Sequence, residues 1–133
     1  MNKLLACAAA ALLLSACAST EKELADKGMK PLEAAKIRTL LSGNTAAGTT
    51  AAGNGYMVFH AADGTMRGKT GNSSDAGKWE VRPDGQFCNQ WTTWRSAQQR
   101  CARLYEADGE IRYFEDGNFA GRYKVENGNP YNL

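Results

Sequence analysis

The chain has 133 residues, 16 Lys+Arg against 14 Asp+Glu, four cysteines and one histidine. That length suits one domain with a modest core. The near-neutral charge points away from nucleic acid and from a polybasic membrane patch, and a lone histidine with scattered cysteines falls far short of a zinc set.

The chain opens MNKLLACAAAALLLSACAST. Lys3 gives a positive start, and Leu4 to Leu14 give an apolar run. The run is shorter than the roughly 20 residues a spanning helix needs and fits a signal peptide over 1–16. It ends at Leu14-Ser15-Ala16-Cys17, which resembles a bacterial lipobox, where the cysteine is acylated and becomes the first mature residue. Each buried CH₂ of a palmitate-like chain contributes about 0.8 kcal/mol, so several chains anchor stably. The expectation is a lipoprotein held on the membrane through Cys17; the plainer alternative is an ordinary signal peptide with a fortuitous cysteine. Ala18 in place of Asp favours the outer membrane, with the domain facing the periplasm. Loss of the leader removes only Lys3 among the charged residues, leaving 15 basic against 14 acidic.

With Cys7 in the leader and Cys17 lipidated, Cys88 and Cys101 remain. In an exported chain two such thiols are expected to form a disulfide. A closed loop of ~15 residues is stabilised by about 3 kcal/mol. A redox or metal pair is the weaker rival, because there is no C-x-x-C.

Residues 17–30 are polar and read as a tether. Residues 31–43 read as a short helix, with Pro31 in the first turn, Gly43 at the stop, and Leu32, Ala35, Ile37, Leu40 and Leu41 on an imperfect apolar face. The small residues of NTAAGTTAAGNG, 44–55, form a weak strand or only a loop. Beyond them, Asp-Gly pairs at 63–64, 84–85, 108–109 and 116–117 separate runs rich in Val, Phe, Tyr, Ile and Thr. Both residues tolerate the positive φ of hairpin turns. Strands are expected near 55–61, 65–70, 77–82, 86–92, 98–106, 110–114 and 118–126. The fold class is mainly β: an antiparallel meander over 44–133 that forms a small lipocalin-like barrel or a sandwich, preceded by one short helix.

A type I turn at Pro83-Asp84 with Gly85 left-handed sets Val81 opposite Phe87, which puts Trp79, Val81, Phe87 and Trp91 on the core face. Cys88 then points to the outer face or an edge. The same turn at 115–117 sets Tyr113 opposite Phe119 and places Phe119, Gly121, Tyr123 and Val125 inward.

The catalytic inventory is thin. His60 lies in an apolar strand and reads as a structural residue before it reads as a base. Ser42, Ser73, Ser74 and Ser96 have no base nearby in sequence, DGTMRGKTGNSSDAG lacks the phosphate-loop spacing, and the Asp-Gly pairs lack EF-hand spacing. The expectation is a protein that is not an enzyme, with no cofactor and no metal. The strongest binding signal is FCNQWTTWRSAQQRC, where Trp91, Trp94, Arg95 and Arg100 crowd one hairpin tip. The blander reading makes Trp91 core, Trp94 the cover of a barrel mouth, and the arginines solvated. Arg103, Tyr105, Arg112 and Tyr123 are set to line a polar cavity if the barrel is open enough.

These residues resemble a family of short exported bacterial proteins of unknown function. The shared pattern is a Gly-x-Trp (Gly77, Trp79), a Cys-x-x-Trp (Cys88, Trp91), a second cysteine (Cys101) and a terminal Gly128-Asn129-Pro130. The likeness covers about residues 32 to 133, is weakest over 44–55, and implies a secreted β-rich domain without implying an activity. The leading functional expectation is a binding module for a small apolar ligand. The rival is a structural or protein-interaction lipoprotein, an envelope-assembly accessory or enzyme inhibitor, that meets an envelope protein through the Trp94/Arg95 tip. An enzyme built on His60 comes third. A hollow interior favours the first of these and a packed one the second.

Overall fold

A computed structural model describes residues 19–133. The leader expected to be a signal peptide, and Cys17 as its lipidation site, lie outside the described residues. Eight antiparallel strands, each paired with the next, close into one barrel: β1 (Asn44–Thr50), β2 (Gly55–His60), β3 (Thr65–Thr70), β4 (Ser73–Val81), β5 (Phe87–Trp91), β6 (Arg100–Ala107), β7 (Glu110–Glu115) and β8 (Asn118–Asn127). Of the two arrangements open to the sequence, the barrel is the one formed. Closure leaves no strand edge to pair with another chain.

The seam is between β1 and β8, in register from Asn44↔Asn127 to Thr50↔Gly121. β1 is the strand the sequence left in doubt, and its small residues are what the seam requires. A Cβ on Gly48 would run into the Arg122 carbonyl and Tyr123 of β8. The terminal motif clasps the same seam: Asn44 Oδ1 accepts from the Gly128 N–H at 3.0 Å, and Thr45 Oγ1 donates to the Gly128 carbonyl at 2.7 Å.

One end of the barrel is plugged. The helix α2 (Ala34–Leu41), inside the span read as helical, buries Ile37 and Leu41 completely in a core with Val58, Met66, Trp79, Phe87 and Leu104. Each such aliphatic side chain contributes about 1.5–3 kcal/mol. Arg38 donates to the Val81 carbonyl, and the Gly43 N–H donates to the carbonyl of His60, tying both flanks of the helix to the strand ends.

A second helix stands where the sequence reads as a tether. α1 (Glu21–Asp26) begins on Thr20, whose hydroxyl accepts from the Glu23 N–H. Leu24 then packs with Tyr105, Phe114 and Phe119 on the outer wall of β6, β7 and β8. The polar sequence hides the element because one apolar residue per turn suffices to dock a helix this short.

The Asp-Gly turns come in two kinds. At 63–64 and 84–85 they close three-residue loops, with the Ala61 N–H on the Thr65 carbonyl and the Arg82 N–H on the Gln86 carbonyl. Val81 therefore opposes Phe87, and Trp79, Val81, Phe87 and Trp91 join the core as expected. At 108–109 and 116–117 both residues have positive φ, which gives two-residue turns. Glu115 thus pairs with Asn118, and a bulge beside Tyr113 and Phe114 sets Phe114 against Phe119 and Tyr113 against Gly121. The expected Tyr113–Phe119 register is corrected accordingly. Phe119 leaves the inward face for the outer cluster under α1, while Tyr123 and Val125 stay with the inner core.

Cys88 and Cys101 face each other directly and are bonded. The bridge is on the wall opposite Phe87, yet Cys88 is fully buried. Arg82 donates to Gln99 Oε1 at 3.2 Å, a polar contact between the residues that follow β4 and precede β6.

Candidate functional site

Inward side chains alternate along every strand, and in this barrel many of them are small: Ala46 and Gly48 on β1, Gly68 on β3, Ala102 on β6. The interior is consequently hollow above the α2 plug. A cavity of about 410 Å³ runs to the open end, within the roughly 300–1,000 Å³ usual for small-molecule sites. Its walls are mostly aromatic and aliphatic, from Tyr56, Val58, Phe87, Trp91, Leu104 and Tyr123, with polar groups at a few places.

The floor is His60. Its ring meets Trp79 and Phe87 edge-on, with centroids 5.5 and 5.6 Å apart, and the residue is 4% exposed. Burial lowers its pKa to about 4, against a weaker opposing pull from the backbone carbonyls of Asn44 and Val58. The imidazole is therefore neutral at pH 7. One side of the lumen carries Tyr56, Tyr113 and Tyr123. Burial, with Tyr113 adjacent, pushes the Tyr56 phenol far above its ordinary range, and burial does the same to Tyr123. These hydroxyls stay protonated.

The mouth is built by the β5–β6 connection. Trp91 is buried, and Trp94 tilts over it with centroids 4.7 Å apart. Gly68 makes this possible, since a Cβ there would sit 2.5 Å from the Trp91 ring and 2.8 Å from that of Trp94. Asp75 Oδ2 accepts from the Thr93 and Trp94 N–H groups at 2.8 Å each, and Trp94 Nε1 donates to Ser73 Oγ. Arg95 then reaches across to Glu115 and donates to both carboxylate oxygens, at 2.7 and 2.6 Å. Arg100 is 3.9 Å from the same carboxylate.

Trp91, Trp94, Arg95 and Arg100 thus come together, and all four line the lumen. The arginines are not a solvated pair: Glu115 engages one and faces the other. Of the second group, Tyr123 alone faces inward. Tyr105 packs under α1 and donates to Glu21 at 2.7 Å, Arg103 donates to the Asp84 carbonyl, and Arg112 pairs with Asp108 and Glu110. That correction follows from strand alternation, because 103, 105 and 112 take the parity opposite to Ala102 and Tyr113. Sequence reasoning missed Tyr56, Asn89, Tyr113 and Glu115. The signal for three of them was available in the period-two patterns Tyr56-Val58-His60 and Tyr113-Glu115.

A search of curated proteins finds no match to this chain. A family described as protein of unknown function (DUF995) matches residues 9–112. That span takes in most of the chain, including the plug helix, the first six strands, the floor histidine and the disulfide. The hollow eight-stranded barrel is therefore the architecture of a protein that belongs to the DUF995 family.

Proposed function

We propose that this protein is a cell-envelope lipoprotein whose barrel is a non-catalytic binding module for a small, largely apolar molecule. Cys17 would hold it at the outer membrane, with the barrel in the periplasm. The observation that carries the binding role is the hollow lumen of about 410 Å³, with mostly aromatic and aliphatic walls and a few polar groups set among them. The alternative of a protein-interaction tip has less support, because Trp94 is tilted inward against Trp91 and Arg95 is committed to Glu115. Catalysis by His60 has little support as well, since its ring neighbours are Trp79 and Phe87 and burial keeps it uncharged. The anchor rests on the leader and its lipobox-like end.

Thermal unfolding in the presence of a library of small amphiphiles tests the binding role. A ligand at 100 times its Kd stabilises by about 2.7 kcal/mol, and each kcal/mol raises Tm by about 4–8 °C in a domain near this size. Gly68→Val, which fills the mouth under Trp91 and Trp94, should abolish the shift. Absence of any stabilising compound would defeat the reading. The anchor is tested separately, by intact mass of membrane-extracted protein against a Cys17→Ser variant.

A further inference from the structure

Among the described residues, the charged side chains that line the lumen are Arg95, Arg100 and Glu115, and all three lie at its mouth. Two of them satisfy each other. Glu115 accepts from Arg95 through both carboxylate oxygens, at 2.7 and 2.6 Å. Arg100 stands 3.9 Å from the same carboxylate, beyond hydrogen-bond range, and its side chain is 43% exposed. Its place in β6 nevertheless turns it to the lumen, because it shares the parity of Ala102 and pairs with Asn89. A guanidinium donates only and does not lose its proton. The mouth therefore carries a cation in excess, with donors open to an acceptor.

Beneath Arg100 the wall changes character. Ala102 and Leu104 continue the inward row of β6, and Ala46, Val58 and Phe87 line the same depth. From Arg100 to Leu104 is roughly 13 Å of strand, or about 10 Å along the axis at the usual barrel tilt. An extended tail of about eight carbons, with bonds of ~1.5 Å, covers that depth. A charged head has no partner of opposite sign down there. A cationic head at the mouth would meet two arginines and find Glu115 already taken, and a neutral head would leave the charge of Arg100 unmatched. An anionic head above an apolar body fits both levels.

We propose that the lumen binds an acidic amphiphile, a medium-chain alkyl carboxylate, with its carboxylate on Arg100 at the mouth and its tail directed to the floor. This deepens the binding-module reading above and rests on it. Glu115 sets the strength of the head site from the side, by competing with the ligand's carboxylate for the arginines.

Displacement of N-phenylnaphthylamine, a neutral fluorescent probe, from the intact protein tests the assignment. Octanoate, octanol and octylammonium share one tail and differ in the charge of the head. Octanoate should bind about tenfold more tightly than octanol, with octylammonium the weakest, since a charge-assisted contact to Arg100 is made by the first alone. Hexanoate, two methylenes shorter, should bind about tenfold more weakly than octanoate. Arg100→Gln should bring octanoate and octanol to equality. Glu115→Gln should instead widen the advantage of octanoate over octanol severalfold, a gain that damage to the fold does not produce. Equal binding of octanoate and octanol by the unmodified protein, a preference for octylammonium, or hexanoate as tight as octanoate overturns the proposal and leaves the binding module standing. So does failure of all the alkyl compounds to displace a probe that enters the lumen. Failure of the probe to enter removes the binding module as well. The compound series in the unmodified protein decides the matter even if a variant fails to fold.

Discussion

Arg95 and Glu115 grip each other across the barrel mouth through two parallel hydrogen bonds. It lies at the start of an unusual backbone: Arg95, Ser96 and Ala97 have φ of 57°, 57° and 55°, three consecutive left-handed residues without a glycine. Each costs roughly 1–2 kcal/mol relative to right-handed geometry. Arg95 is about a third exposed, so solvent screens the pair and its contribution to stability is about 1 kcal/mol or less. Arg95→Ala should therefore lower the denaturant midpoint only slightly, while raising the ligand dissociation rate severalfold because the connection over the mouth loses its latch. Ala97→Gly should stabilise by up to about 1 kcal/mol, since glycine takes positive φ freely. Unchanged dissociation in Arg95→Ala would show that the pair does not gate the lumen.

The disulfide joins β5 to β6, the pair with the shortest register in the barrel, three residue pairs from Phe87↔Ala102 to Asn89↔Arg100. Its sequence separation of 13 closes a short loop, for which chain entropy gives about 3 kcal/mol. Replacing both cysteines with alanine should lower Tm by more than about 10 °C. Alkylation of the native, unreduced protein should leave Cys88 and Cys101 unmodified. A double variant as stable as the parent would mean that the β5–β6 contacts suffice without the bridge.

Hairpins are legible in the sequence because their information is local. Asp-Gly between apolar runs places a turn, and Val81 and Phe87 across Pro83-Asp84-Gly85 declare their own register. The turn at 116–117 departs from expectation because Asp116 also adopts positive φ, which shortens the loop by one residue and, with the bulge beside Tyr113, moves Phe119 to the opposite face. β1 is illegible for a different reason. Its Gly48 is small because β2 and β8 bring Tyr56 and Tyr123 against it, and that constraint exists only once the barrel closes. The site follows the same division. Trp91, Trp94, Arg95 and Arg100 are neighbours in sequence, so their cluster shows there. His60 on β2 and the Tyr113–Glu115 pair on β7 come from other hairpins, and only closure brings them to the same lumen; Asn89 sits two residues from Trp91 in the legible segment, without an aromatic ring or charge to mark it.

α1 makes a prediction that separates the wall from the lumen. Leu24 is 2% exposed, packed on Tyr105 and Phe114 outside the barrel. Leu24→Ala removes the anchor of a six-residue helix, and burial losses of this kind cost about 2–5 kcal/mol. Much of that should appear as local undocking rather than global unfolding. Backbone amides of α1 should exchange faster, while lumen ligand affinity stays within about twofold of the parent. A large loss of affinity would place α1 in the binding mechanism.

His60 should leave a signature in the acid limb of stability. Unfolded, its imidazole titrates near 6.5; folded, burial among Trp79 and Phe87 brings it down to about 4. Below pH 6.5 the unfolded chain takes up a proton that the folded chain refuses, so stability falls as pH drops. The slope approaches about 1.4 kcal/mol per pH unit. The loss ends as pH passes through about 4, at a total of roughly 3 kcal/mol. Above pH 6.5 the contribution is complete and constant. Asp63 is held below its ordinary range by hydrogen bonds from Thr65, as is Glu23 by those from Ser19, so both add their own losses only at lower pH. Denaturant titrations at half-unit steps from pH 7.5 to 4.5 should show this slope in the parent and a flat line in His60→Phe. Parallel curves for the two proteins would mean that the histidine is hydrated in the folded state, and that the lumen floor is wet.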